Sequence, residues 1–547
     1  MSKENLSRRQ FISGAAMGTA GVAVMGMMSA CAPKVTGNGA AAGDAQSALV
    51  NGFDETTAKI TATYDTDVVI IGAGAAGLMA GMNLARTGRK VIIIEKGPTN
   101  AVANFANCAG PAAAETKLQA DENATVTVDQ MFQHMYAYSR TSVNAALLHN
   151  CIANSGKAIN DMLDLGIPMV LNPDTYGVGF RARHMLMARG QDRVQPIIDD
   201  ITKNGGQMMT ATAGAKIIMK DGQAAGVYAT TNDGAIQINA KAVLVSTGGF
   251  QGSPEKIEKF MGVKNLVSLG NNLCTGDGIE MVQAAGGVLD RNFCTLGNEG
   301  CGSNHKCEGG PYSAQFGMTN ANLAFAIYGN LMVDTTGDRF MNEKKIADFP
   351  LALGGEALLR AGHAYVVMDA AYYEACSQVG IYEYLGKPSD WISGPALWFP
   401  VVSDAPAQLD KAISEGWAFK ADTLAECAEH FNLTNLEATV TAYNQLCDAG
   451  EDTQFGKSPN FLKKIGDGPY YVIEYEPATW STNGGIKINQ HCQVIDNEGS
   501  PVPGLYLAGV DNGSVYTAPY YDNEGASVGM ALGSGVLVSQ SIDSYLG

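Results

Sequence analysis

The chain has eleven cysteines, yet no two are spaced as CxxC and none heads a CxxCH. Paired ligands for a zinc ribbon or an iron–sulfur cluster are therefore missing, and covalent c-type haem is not carried on this chain. Cys294, Cys301 and Cys307 lie close in sequence but read as buried free thiols or one disulfide, and no metal site is expected. Positive charge is also scarce. The 36 lysines and arginines stand against 54 aspartates and glutamates, a formal net charge of −18. Nucleic acid or an anionic membrane surface would repel such a chain; the charge suits docking to a basic protein, or serves solubility alone. No internal repeat is evident, which sets repeat architectures aside. What remains describes a globular protein: 46% hydrophobic and 16% charged over 547 residues, long enough for two or three domains.

The most informative stretch is Asp67–Glu95, DVVIIGAGAAGLMAGMNLARTGRKVIIIE. An apolar strand, Val68–Ile71, runs into a glycine-rich turn. A helical pattern follows through Arg86, and a second strand, Val91–Ile94, ends at Glu95. This is a complete βαβ dinucleotide fingerprint. Gly72 permits the tight turn, Gly74 lets a pyrophosphate approach the positive end of the helix, Gly77 allows close helix–strand packing, and Glu95 suits ribose hydroxyls.

Ahead of the fingerprint, residues 1–31 read as an export signal. Ser7-Arg8-Arg9-Gln10-Phe11-Ile12 supplies twin arginines, a Gly/Ala/Met run poor in bulky aliphatics follows, and Met28-Ser29-Ala30-Cys31 resembles a lipoprotein cleavage box. The expected location is extracytoplasmic, lipid-anchored to the cytoplasmic membrane. Residues 32–60 read as a flexible tether. Beyond the fingerprint, Asn104–Ala114 is a small-residue loop against which a flat ring system can lie. Met131–Gly166 reads as helices. Lys216–Met219, Gly226–Thr230 and Ile236–Ile238 read as hairpin strands separated by Asp-Gly turns. The strand Ala242–Ser246 ends in Thr247-Gly248-Gly249, a second place for backbone to meet a cofactor. Residues 288–479 read as an inserted domain. The tail returns to the first style, with a strand ending at Ala508-Gly509 and a Gly-rich helix from Gly525. The expected division is 61–287 and 480–547 for one domain and 288–479 for the other.

These pieces resemble the flavoprotein family of fumarate reductases, succinate dehydrogenases and 3-ketosteroid dehydrogenases, over about Asp67 to Leu537. The carrying motifs are GAGAAG (Gly72–Gly77), STGGF (Ser246–Phe250), TGDGI (Thr275–Ile279), GDRFMNE (Gly337–Glu343), TNGGI (Thr482–Ile486) and GLYLAG (Gly504–Gly509). The resemblance implies an α/β fold: a Rossmann-like FAD-binding domain with an inserted α+β capping domain. It implies FAD as cofactor and hydride transfer at flavin N5 to or from a carbon–carbon bond. It extends the cofactor contacts from Gly72, Gly74, Gly77, Glu95, Thr247, Gly248, Gly249 and Gly509 to Ala75, Ala76, Lys96, Asn104, Asn107, Cys108, Ala109, Gly110, Ala215, Asp277, Asp511, Ser527 and Val528.

The departures from the fumarate-reducing branch bear on the substrate. Ala347 stands where that branch has its acid Arg, with the adjacent Asp348 still matching. Ser481 replaces a His, and Asp522 replaces a substrate-binding Arg. The Glu and Arg of the proton relay become Leu323 and Ala326. Two substrate carboxylates without cationic partners would each cost several kcal/mol, so fumarate is not the expected substrate. The C-terminal motif resembles instead the ketosteroid dehydrogenase pattern, in which a Tyr hydroxyl and the N–H of a Gly four residues on polarise a ketone; Tyr521 and Gly525 have that spacing. Tyr328 is the first-named proton donor, with Tyr312, Tyr516 and Tyr520 as competitors. Trp391, Trp398 and Phe399 are candidates to line an apolar cavity. The expected activity is reduction of an activated alkene, a neutral enone or related conjugated carbonyl, with steroid-like or polycyclic skeletons included. A membrane-anchored multihaem cytochrome, or another haem or flavin protein, is the expected electron donor. Two alternatives stand beside it: a reductase of acrylate-type monocarboxylates using Arg181, Arg183 or His184, and a flavin electron-relay lipoprotein without turnover.

Overall fold

The computed structural model describes residues 52–547 apart from 100, 102, 175–176, 265, 297–298, 303–328, 349–352 and 388–404. Tyr312, Tyr328, Leu323, Ala326, Trp391, Trp398, Phe399, Cys307 and the export signal therefore lie outside the described residues.

The labelled elements run in chain order as β1 (Ile60–Ile71), α1 (Ala75–Arg86), β2 (Val91–Ile94), α2 (Ala145–Asp164), β3 (Gln207–Met209), β4 (Ala213–Lys220), β5 (Gln223–Thr231), β6 (Gly234–Val245), α3 (Asp277–Ala284), β7 (Leu289–Leu296), α4 (Leu353–Ala361), β8 (Ala364–Met368), β9 (Tyr470–Thr479), β10 (Ser481–Ile486), β11 (Gln493–Ile495), β12 (Pro501–Leu507) and α5 (Ala526–Leu546). The main sheet has the order β11-β12-β6-β1-β2-β3, parallel except for the β11–β12 pair. Its central strands read as unbroken apolar runs because both faces are covered; Val68, Val69 and Ile70 are wholly buried.

Strand β6 differs from the sequence expectation. The segments 236–238 and 242–246 form one continuous strand rather than two. Its first half pairs antiparallel with β5 while its full length runs parallel to β1, which itself reaches back to Ile60. A period-2 reading of 236–238 sees the half-exposed meander, and the apolar run sees the buried sheet; the two are halves of one strand crossing from surface to core.

Helix α5 is buried along most of its length. Small residues make that possible: a Cβ on Gly533 would stand 2.1 Å from the Cys151 carbonyl oxygen of α2, and one on Gly535 2.5 Å from that of Ala76 in α1. The helix thus wedges between α1 and α2, its middle against the start of α1 and its N-terminal Gly525 against the backbone of residues 110–112.

The second sheet is built around β9, which pairs antiparallel with β8, Glu299–Gly302 and Ala418–Ala421, and parallel with Val267–Ser268. It has its own apolar core of residues such as Val366, Met368, Tyr372, Ile381 and Ile473. After Trp480 the chain passes directly into β10, which pairs antiparallel with β7 and leads back to the main body. No helix among the described residues is long and apolar enough to cross a membrane.

Candidate active site

The glycine-rich turn forms as its spacing predicts. Gly72 has φ +102°, and a Cβ there would lie 2.4 Å from the Ser246 carbonyl oxygen. A Cβ on Gly77 would lie 2.0 Å from the Gly72 oxygen, so α1 packs against its own turn with no space for a side chain. Gly74 differs: a Cβ there meets nothing within 4 Å. It is the N-cap of α1, no side chain caps the helix, and the first turn carries no acid. The leading N–H groups of α1 thus face open space at a positive helix end, a cradle fit for an anion. Buried Glu95 accepts the Ala73 N–H at 3.0 Å through one oxygen and the Gly97 N–H at 2.8 Å through the other. Each oxygen keeps a lone pair for a further donor.

The motifs converge on this turn. Gly509 packs on Ala76, and a Cβ on Gly278 of α3 would lie 2.2 Å from Thr247 Oγ1. Six of the expected cofactor contacts, Asp511, Thr247, Gly248, Gly249, Lys96 and Asp277, have protein partners. Asp511 is wholly buried and accepts hydrogen bonds from Thr247 N (2.6 Å), Thr247 Oγ1 (2.9 Å), Gly248 N (3.0 Å) and Gly249 N (2.8 Å). Burial pushes its carboxyl upward and these four donors pull it back. The backbone amides of the 247–249 turn are consumed by Asp511, so these residues shape the cradle's wall. Lys96 and Asp277 likewise pair with each other at 2.7 Å, with Thr275 bridging them.

The loop expected to lie along a ring system is held from behind. Asn104 donates to the Trp480 carbonyl at 3.1 Å and accepts the Asn271 N–H at 2.7 Å; Asn107 donates to the Ala101 carbonyl. A Cβ on Gly110 would strike the His184 carbonyl oxygen. Arg193, which the sequence reading missed, is fully buried and donates to the Cys108 carbonyl at 2.7 Å and to the Ala188 carbonyl at 2.8 Å. It sits among the apolar residues on the buried face of its helix, so periodicity marks it as an anomaly without revealing its task. Ala75, Ala109, Ala215 and Val528 carry only small or apolar side chains.

The C-terminal motif departs from the expected ketone clamp. Gly525, at φ +85°, caps α5 as its spacing implies. Tyr521, however, is 1% exposed and its hydroxyl donates to the Val515 carbonyl at 2.8 Å. A buried phenol needs an acceptor, and the turn at 515 provides one, so this hydroxyl is a packing group rather than a free donor. The neighbouring Tyr520 is placed differently: its hydroxyl oxygen accepts the Ser527 N–H at 2.5 Å in the first turn of α5. Ser527 Oγ donates to Asn483 Oδ1 at 2.9 Å. The N–H expected to face a cofactor is thus engaged by Tyr520. Asp522, in place of an Arg, pairs with His134 at 2.8 Å, and the Ser481 hydroxyl donates to the Thr482 carbonyl at 3.1 Å. Arg181 is tied to Glu122 and to the Leu171 and Asn172 carbonyls. Arg183 forms a buried ion pair with Glu524. His184 is buried between Thr116 and the Ala182 carbonyl, and burial pushes its pKa down to about 4. None of the three is left for a carboxylate.

A cavity of about 350 Å³ opens where β7, the end of the Pro254–Met261 helix and α4 meet. Its walls include Phe260 and Phe293, stacked at 5.5 Å with planes 5° apart, and Met261, Val263 and Leu359. Arg291, Glu356 and Arg360 supply charge, and Cys294 and Ala518 complete the lining. Cys294 is the cross-strand partner of Asn483, so the cavity adjoins the head of α5.

Residues 67–528 match the FAD binding domain family. The chain belongs to that family. Among curated relatives, the FAD-binding chain is 27% identical over 485 residues to the vinyl phenol reductase of Lactiplantibacillus plantarum, covering 86% of this chain and 94% of the relative. It is 26% identical over 472 residues to a fumarate reductase (cytochrome) of Shewanella frigidimarina, covering 84% and 74%. Among solved structures, 3-ketosteroid delta1-dehydrogenase from Sterolibacterium denitrificans shares the fold with a TM-score of 0.68 at 16% identity, over 88% of this chain and 99% of the other.

The residues present fit FAD. The open space at Gly74 and the uncapped helix end would take the pyrophosphate, and Glu95 the ribose. When bound, FAD supplies two-electron hydride chemistry that no side chain offers. The RFxNE segment has a structural task in this flavoprotein. Arg339 donates to both Glu343 oxygens and to Asp452, each at 2.8 Å, and Lys457 lies 3.2 Å from Glu343, all buried. Asp348, which matches the family, is held by Lys344 at 2.6 Å.

Proposed function

We propose that this protein is an exported, lipid-anchored FAD-dependent reductase of an activated carbon–carbon double bond in a neutral enone or related conjugated carbonyl, fed by a separate membrane-linked haem or flavin donor. The observation that carries the substrate class is the engagement of Asp522 by His134, at the position where the resembled dicarboxylate reductases keep an Arg. An acid there repels a second carboxylate, and desolvating an unpaired carboxylate costs several kcal/mol. Ser481, in place of a His, adds no charge. The cavity with its stacked Phe260 and Phe293 supports a flat, largely apolar substrate. That relatives are named as reductases of vinyl phenol and fumarate supports alkene reduction as the reaction class. Twin arginines ahead of Cys31 support export, and the missing CxxCH supports a separate electron donor.

A second reading has one observation in its favour. Arg291 and Arg360 line the cavity, and among the described residues neither guanidinium is ion-paired, which would suit a single carboxylate on an aryl-acrylate. Anaerobic mixing of chemically reduced holoenzyme with enones, aryl-acrylates and fumarate, followed by flavin absorbance, separates the readings. Fast reoxidation by enones and slow or no reaction with fumarate is expected. Preference for aryl-acrylates would install the second reading, and efficient fumarate turnover would defeat both.

A further inference from the structure

The described part of the site contains two buried hydrogen-bond donors that meet no oxygen or nitrogen acceptor. Tyr520 accepts the Ser527 N–H, but its own O–H meets no acceptor among the described residues. Asn483, wholly buried, accepts from Ser527 Oγ, while its Nδ2 faces only the Cys294 sulfur, a weak acceptor, and no oxygen or nitrogen. Both side chains are anchored on the same residue, Ser527, in the first turn of a 21-residue helix. Both lie behind the cavity lining: Asn483 stands across the strand pair from the lining residue Cys294, and Tyr520 follows the lining residue Ala518 by two residues. Buried donors are costly to leave unmade, so such a pair marks a place where an acceptor belongs.

We propose that Tyr520 and Asn483 together form the carbonyl-binding pair of the reductase, replacing the expected Tyr521–Gly525 clamp. The inference rests on the reading of the protein as a reductase of conjugated carbonyls. Hydride from the reduced cofactor forms a C–H bond at the β-carbon, the π pair of the double bond shifts toward the carbonyl, and negative charge gathers on its oxygen. The Tyr520 O–H and the Asn483 N–H hold that oxygen. A proton from water then bonds to the α-carbon and leaves the saturated ketone. Helix α5 contributes through Ser527, whose N–H pulls electron density from the phenol oxygen and makes Tyr520 a stronger donor. The ionisable groups within electrostatic reach of Tyr520 are Arg183, Cys294, Tyr516 and Tyr521. Arg183 is paired with Glu524.

The test uses FAD-loaded enzyme with two readouts. In the first, reoxidation by a good enone should slow roughly 10²–10³-fold in Tyr520→Phe and in Asn483→Leu, the usual loss for one oxyanion donor. In the second, p-nitrophenol, a mimic of the charged oxygen, should bind oxidised wild-type enzyme as the phenolate by its absorbance shift, and bind at least ten times more weakly in both variants. Incorporation of 3,5-difluorotyrosine at position 520 keeps shape and volume, and should move the alkaline limb of the reoxidation rate to lower pH. If both variants reoxidise and bind nitrophenolate as wild type does, the pair is refuted while the reductase reading stands. If the variants instead lose FAD, the two donors serve the cofactor and the proposal fails. If wild type reacts with no conjugated carbonyl, the underlying reading fails first.

Discussion

At the scale of single residues, the tyrosines show how far environment outweighs position. Tyr520 and Tyr521 are adjacent, equally buried and chemically identical, yet one donates to the Val515 carbonyl and the other accepts from a helix N–H. Spacing from Gly525 selected Tyr521, because spacing reports position along the chain and not which way a ring turns. Tyr521→Phe should leave the Val515 carbonyl buried and unpaired, lowering stability by about 1–3 kcal/mol in chemical denaturation while FAD stays bound. His184 carries a pH signature. Its folded pKa of about 4 lies below the ordinary value of 6.5, so the unfolded chain binds a proton that the native chain refuses. Stability from this residue is present above pH 6.5 and declines as pH falls toward 4, by up to about 3 kcal/mol. His363 opposes it: Glu474 raises its pKa, so its contribution is present below the ordinary histidine value and is lost as pH rises through the folded one. Denaturation curves across that range should show a shallower pH slope in His184→Gln than in wild type.

At the scale of elements, the fingerprint was legible because its chemistry is local. Turn, helix start and strand end lie within one βαβ unit, and Gly77 answers to the Gly72 carbonyl five residues back, although Gly72 itself answers to the distant Ser246 carbonyl. The glycines nevertheless divide by function. Gly74→Ala meets open space at an ordinary negative φ, so the apoprotein should keep its stability while FAD affinity falls as the methyl enters the cradle. Gly77→Ala drives a Cβ to 2.0 Å from the Gly72 carbonyl, so the apoprotein itself should lose thermal stability. Calorimetry of apo forms with FAD titration distinguishes the two. The reverse pattern would mean the open side of Gly74 is not where the cofactor lies. The STGGF turn illustrates the opposite situation. Its glycines promised open backbone, but Asp511, 262 residues beyond Gly249, takes their N–H groups. No local pattern announces a carboxylate arriving from so far along the chain.

At the scale of the whole molecule, the proposed export signal sets where the protein is expected to work. The proposed mature form starts at Cys31. Mass spectrometry of native protein should find a lipid-bearing N-terminus there, and Arg8→Lys with Arg9→Lys should abolish export; an exported chain that retains Met1 would reject the anchor. The sequence by itself determined the dinucleotide fingerprint and the alternation of strand and helix that makes the α/β body, and through the resemblance it carried the reading that Ala347, Ser481 and Asp522 replace dicarboxylate-binding cations. All of these are carried by residue type and short spacing, which the linear chain displays directly. Only the tertiary structure decided that Asp511 braces the 247–249 turn, that Arg193 holds the 104–110 loop by its carbonyls, and that Asn483 and Tyr520 are both hydrogen-bonded to Ser527. These are contacts between segments 44 to 262 residues apart or between rotamers of neighbours, set by packing and by the need of buried polar groups for partners, which no stretch of sequence states alone.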